Sequence, residues 1–114
     1  MSRRDDDTAL RHMLEFAERV VSHTSGMNVG DLADDEVLLA ATMRWIELIG
    51  EAANRVSRET QQAHPAIPWA DIIGTRNRLI HGYDEVNLAL LWDTIHTDIP
   101  GLEKELRRIV DELT

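Results

Sequence analysis

The sequence predicts an all-α protein, an antiparallel bundle of four to five helices, and three observations support that. Only three prolines and six glycines punctuate 114 residues. Between them, apolar residues recur at the 3-4 spacing of a buried helical stripe. No alternating apolar–polar run and no hairpin dipeptide argues for strands.

The first helix is expected to start near Asp7, where Asp5-Asp6-Asp7 reads as a solvated N-cap and first turn. Leu10, Met13, Leu14, Ala17, Val20 and Val21 form its stripe, and Gly26 ends it. A Gly/Asn/Asp-rich loop follows, and Asp34 or Asp35 caps a long second helix. The stripe of that helix is Val37, Leu38, Ala41, Trp45, Leu48, Ile49, Ala52 and Val56, and His64-Pro65-Ala66-Ile67-Pro68 breaks it. Pro68 suits the first position of a third, shorter helix running from Trp69 to about His81, with Gly82 as terminator. Asp84 or Asn87 caps the last helix, whose seam is Leu88, Leu91, Trp92, Ile95, Ile99, Leu102, Leu106, Ile109 and Leu113. Pro100 lies inside that seam, which predicts a kink or short break. Residues 1–114 read as one domain, since the length suits a single core.

The bulk numbers narrow the function. No cysteine is present, so disulfides and thiolate zinc sites are excluded, and the composition fits a cytoplasmic protein. No signal peptide and no apolar run of membrane-spanning length is visible, so no membrane role is expected. The net charge of −9 opposes broad, non-specific nucleic-acid binding. Residues 55–83 are the exception: Arg55, Arg58, Arg76 and Arg78 stand against Glu59 and Asp71. A locally cationic spot on an acidic body can hold one stretch of phosphate. His12, His23, His64 and His96 share no ligand spacing, so no metal and no cofactor is expected. Trp45, Trp69 and Trp92 fall on helical stripes and read as packing residues.

The anomaly is in the third helix. At ~100° per residue, Trp69, Ile72, Ile73, Leu79 and Ile80 share one face, and Arg76 stands in the middle of it. A buried charge there needs a partner. Either Arg76 pairs with a carboxylate such as Glu51 or Glu47, or the stripe opens onto a cleft. Arg78 points away from the stripe and reads as solvated, with at most a weak RNA-binding role. Continuing the helix to His81 places Asn77 and His81 four apart on one face, so Asn77 can orient the imidazole. A lone histidine at a helix end more often caps free carbonyls. Tyr83, the only tyrosine, reads on its own as a core-edge aromatic.

The stretch Pro68-Trp69-Ala70-Asp71-Ile72-Ile73-Gly74-Thr75-Arg76-Asn77-Arg78-Leu79-Ile80-His81-Gly82-Tyr83 resembles the HepT toxins of the HEPN superfamily. The family signature is an Arg, usually followed by a polar residue, then a His, one residue and a Tyr. Arg76, Asn77, His81 and Tyr83 stand in those places, with four residues between Arg and His. Ile49-Gly50-Glu51-Ala52-Ala53, Leu91-Trp92 and Ile99-Pro100-Gly101-Leu102 resemble further segments of the family, so the likeness covers nearly the whole chain.

The resemblance implies a HEPN-like helical homodimer with the motif near the dimer cleft, and metal-independent cleavage of RNA. It also implies a type VII-like toxin–antitoxin pair with an MntA-type nucleotidyltransferase antitoxin, which transfers AMP from ATP to the Tyr of the His-x-Tyr element, here Tyr83. The residue types suit that chemistry. An imidazole of ordinary pKa ~6.5 serves as base or acid near neutrality, and a guanidinium matches phosphorane oxygens. The expected catalytic set is therefore Arg76 as phosphate clamp, His81 as general base or acid and Asn77 as aligner, doubled across a two-fold axis. The alternative is a non-catalytic helical partner that binds and positions a nucleotidyltransferase.

Overall fold

The computed structural model describes residues 3–81 and 85–113, with Arg3, Arg4, Arg76, Ile80, His81 and Glu85 described by backbone alone. The protein is all-α, as the periodicity predicts, apart from one two-residue ladder. Helix α1 spans Arg3–Thr24, α2 Val29–Asp34, α3 Glu36–Arg55, α4 Arg58–Ala63 and α5 Trp69–Leu79. Strands β1 (Ile80–His81) and β2 (Glu85–Val86) follow, then α6 (Leu88–Asp93), a π turn (Thr94–Asp98) and α7 (Ile99–Asp111). Helix α1 packs on α3 and α7, and α3 packs on α5. Among the described residues no helix is long and apolar enough to cross a membrane.

Several boundaries follow the local chemistry of the sequence. Gly26 takes φ 77°, the left-handed conformation that closes a helix, just past the end of α1. Asp35 caps α3 by accepting from the Leu38 amide at 2.9 Å. Asn87 caps α6 by accepting from the Leu90 amide at 3.0 Å; Asp84 and Gly82 lie outside the described residues. Helix α1 begins at Arg3, four residues ahead of the expected Asp7.

Other elements were not foreseen. The Gly/Asn/Asp-rich loop holds α2, started by a capping box in which Asn28 and Asp31 each accept from the other's amide, at 2.9 and 3.0 Å. That turn drives Leu32 fully into the core. The long second helix stops at Arg55, because Ser57 caps a separate α4. The core stripe of α3 is rotated from the expected one. Thr42, Ile46, Ile49, Ala52, Ala53 and Val56 are buried, while Val37 is 81% exposed. Helix α3 lies between α1 and α5, so its small residues are needed on two sides. Gly50 shows why: a Cβ there would stand 3.0 Å from the Ile72 carbonyl oxygen of α5.

Asp6 is also a correction. It is not solvated but 4% exposed, and it accepts from the Ser57 amide (2.9 Å), the Ser57 hydroxyl (2.6 Å) and the Thr60 hydroxyl (2.5 Å). One carboxylate thus joins the start of α1 to the start of α4 just past the end of α3, which makes α1 and α3 antiparallel. Burial by itself pushes the Asp6 carboxyl up. The Ser57 and Thr60 hydrogen bonds outweigh that and hold it below its ordinary value.

The expected distortion near Pro100 takes the form of the π turn. The Ile99 amide donates to the Thr94 carbonyl, five residues back, and the helical course continues through Leu88–Asp111 without a break. Proline has no N–H to give and its ring crowds the preceding turn, so a widened turn before it keeps the seam continuous. Leu91, Ile95, Ile99, Leu102, Leu106 and Ile109 all remain buried along it.

Candidate active site

Helix α5 is built to be held firmly at both ends. Trp69 is buried and its indole N–H donates to the His64 carbonyl at 3.1 Å. Pro68 sits one position ahead of the helix, with its carbonyl accepting from the Ile72 amide. At the other end Leu79 is fully buried, and its carbonyl accepts from the Asn87 amide at 2.7 Å. That long-range bond stops the helix at Leu79 instead of His81. The chain then runs extended, with Ile80 opposite Val86 and His81 opposite Glu85.

The motif residues are distributed over this junction. Arg76 lies in the last turn of α5, Asn77 is exposed beside it, and His81 is in β1. The helical i, i+4 relation expected between Asn77 and His81 is therefore replaced by a helix-to-strand transition. Tyr83 lies outside the described residues. Nothing is described of the Arg76 and His81 side chains, so the choice between an ion pair and a cleft for Arg76 falls outside the description as well.

Arg78 is not a free solvated cation. Its guanidinium folds back along α5 to the Asp71 carbonyl (2.8 Å) and the Thr75 hydroxyl (2.9 Å), with the Asp71 carboxylate 3.9 Å away. There it borders a cavity of about 100 Å³ between α3, α5 and the π turn, whose polar wall includes Thr75, Thr94 and Asp98. Partial burial raises the Asp98 carboxyl above its ordinary value, as do Asp93 and Asp71, while Arg78 opposes the shift.

A second hollow, of about 160 Å³, lies between α3 and α5. Glu47, Glu51 and Asn54 line it from α3, and Ile72 and Ile73 from α5. Arg44 bridges the two acids, 2.7 Å from Glu47 and 3.5 Å from Glu51. Asn54 belongs to no motif; the only sequence signal for it is its 3-4 spacing from Glu47 and Glu51 along one face of α3. Among the described residues no group of three or more His, Cys, Asp or Glu is placed to hold a metal ion.

The profile of the family described as "Ribonuclease HepT-like" matches residues 13–109. A protein of Caldanaerobacter subterraneus subsp. tengcongensis, named "Putative RNase TTE0752", is 37% identical over 103 residues, covering 90% of this chain and 92% of its own. One from Methanocaldococcus jannaschii, "Putative RNase MJ1380", is 32% identical over 106 residues, with 93% and 97% covered. One from Thermococcus cleftensis, "Probable ribonuclease HepT", is 31% identical over 100 residues, with 88% and 91% covered. No solved structure matches the chain. The matched span runs from within α1 to near the end of α7 and includes the whole of α3, α5 and the segment from Arg76 to Tyr83. The chain belongs to the HepT-like family of the HEPN superfamily.

Proposed function

We propose that this protein is the toxin of a type VII-like toxin–antitoxin pair, a metal-independent endoribonuclease acting as a homodimer. The observation that carries the reading is the position of Arg76 and His81 at one junction, the first in the last turn of α5 and the second in the strand leaving it, in a chain of the HepT-like family. In the reaction His81 takes the proton of the RNA 2′-hydroxyl or returns one to the leaving 5′ oxygen. Arg76 holds the phosphorane oxygens, and Asn77 steadies the imidazole. A second chain across a two-fold axis completes the pair of acid and base.

The same reading gives Tyr83 its role. An MntA-type nucleotidyltransferase transfers AMP from ATP to the Tyr83 hydroxyl, with pyrophosphate leaving. The adduct adds bulk and a phosphodiester charge two residues from His81. Mass spectrometry after co-expression with such an antitoxin is expected to find AMP on the Tyr83 peptide, and an unmodified peptide rejects this step.

The test of the reaction is digestion of RNA by wild type and His81→Ala with EDTA present. Cutting by wild type alone is expected, with a loss of about 10² or more in the variant. Equal cutting by both, or cutting abolished by EDTA, rejects the mechanism. The net charge of −9 favours the second reading, a non-catalytic partner that positions a nucleotidyltransferase. Growth arrest when this chain is expressed alone fits only the toxin.

A further inference from the structure

The groove between α3 and α5 joins two unlike surfaces. One wall is apolar: Ile72 and Ile73, with Ile73 37% exposed. The opposite edge is the row Glu47, Glu51 and Asn54 on α3. Gly50 between them lets the two helices come close, since a Cβ there would stand 3.0 Å from the Ile72 carbonyl oxygen. Arg76 follows Ile72 by four residues on α5, a rise of about 6 Å. The backbone of Arg76 thus lies one turn of α5 past the apolar wall.

An apolar wall facing hydrogen-bond acceptors fits a flat ligand with an apolar face and donors along one edge. That describes an unstacked nucleobase. A groove of about 160 Å³ is of the size that accepts one planar ring. The two acids exclude a phosphate from the pocket itself. Arg44, 57% exposed and bridging both acids, tempers their charge.

The choice of base follows from donor geometry. A carboxylate only accepts, and its two oxygens match two donors side by side. Guanine presents N1–H and N2–H that way on its Watson–Crick edge. Adenine and cytosine offer one amino group, and uracil one imino group. The Asn54 amide can donate to guanine O6.

We propose that this groove is the base-specificity pocket and takes guanine from single-stranded RNA, with Glu51 accepting N1–H and N2–H. The choice of RNA as the ligand rests on the ribonuclease reading above.

The test separates the two. Short 2′-O-methyl oligonucleotides, which cannot be cut by their own 2′ oxygen, differ only in one central base, and binding is followed by fluorescence anisotropy. Wild type is expected to favour the guanine strand by about tenfold or more, as a good bidentate pair allows. Glu51→Gln should bring the four strands within about twofold of each other, and Asn54→Ala should reduce the preference as well. Thermal melting checks that each variant folds, and either folded variant suffices to test the pocket. Equal binding of all four strands by wild type overturns the proposal, as does a guanine preference that survives in the variants. Matching ribo-oligonucleotides are then digested with wild type and His81→Ala. A guanine preference in binding without any cutting overturns the ribonuclease reading and leaves the pocket standing.

Discussion

Replacing Asp6 by Ala removes the acceptor of three hydrogen bonds at once, from the Ser57 amide, the Ser57 hydroxyl and the Thr60 hydroxyl. Hydrogen bonds to a charged group contribute roughly 1.5–3 kcal/mol each. The three do not add in full. Ser57 and Thr60 are only half-buried, and the Ser57 hydroxyl keeps its contacts with Thr60, so water and local rotation recover part of the loss. A net destabilisation of about 3 kcal/mol is expected. For a chain of this length that lowers Tm by about 12 °C, at roughly 4 °C per kcal/mol. Urea unfolding and calorimetry of wild type and variant measure both quantities.

The sign of the pH dependence is fixed by the direction of the Asp6 shift. Its folded-state pKa lies below the ordinary carboxylate value, so its contribution is fully present above the unfolded pKa of about 3.9. It is lost as pH falls through the folded pKa. The gap between wild type and Asp6→Ala should be constant from pH 6 to 7 and close below about pH 4. A loss under about 1 kcal/mol at pH 7, or a gap that widens in acid, would refute the clamp.

The remaining predictions concern the packing of α3 on α5, the cap of α6 and the proposed catalytic residues. Gly50→Ala should lose about 1 kcal/mol in urea unfolding, because its Cβ meets the Ile72 carbonyl at 3.0 Å and overpacking outweighs the gain in helix propensity. A stabilised variant would mean that α3 and α5 separate freely. Asn87→Ala should cost about 1 kcal/mol through loss of the α6 cap; no change in Tm would show that the cap is idle. Dimers of Arg76→Ala chains and dimers of His81→Ala chains should each lose RNA cleavage by about 10² or more, and a mixed dimer, left with one imidazole in the cleft, should stay impaired. Parents with full activity would remove both residues from the mechanism.

The stripes of α1 and of the last helix were legible because periodicity needs only local spacing. So were the caps at Asp35 and Asn87 and the turn at Gly26, since each acts within three or four residues. The features that escaped depend on distant partners. Asp6 looks like any acidic helix start until Ser57 and Thr60, more than fifty residues on, close over it. Leu79 ends α5 because Asn87 donates to it across the hairpin, whereas the sequence pattern alone carries the helix to His81. The stripe of α3 was misplaced because a helix packed on two sides buries small and polar residues such as Gly50 and Thr42, which a hydrophobicity pattern passes over. The motif positions were readable as a string; their division between a helix and a strand was not.

Asn87 serves two helices: its side chain starts α6 while its backbone amide closes off Leu79. The stretch between Leu79 and Asn87, which carries His81, is thus fastened at both ends by one residue. Under the proposed function, a substitution or adduct between those two residues leaves untouched both the hydrogen bond that closes α5 and the cap that starts α6, so the chemistry is silenced without undoing either helix end.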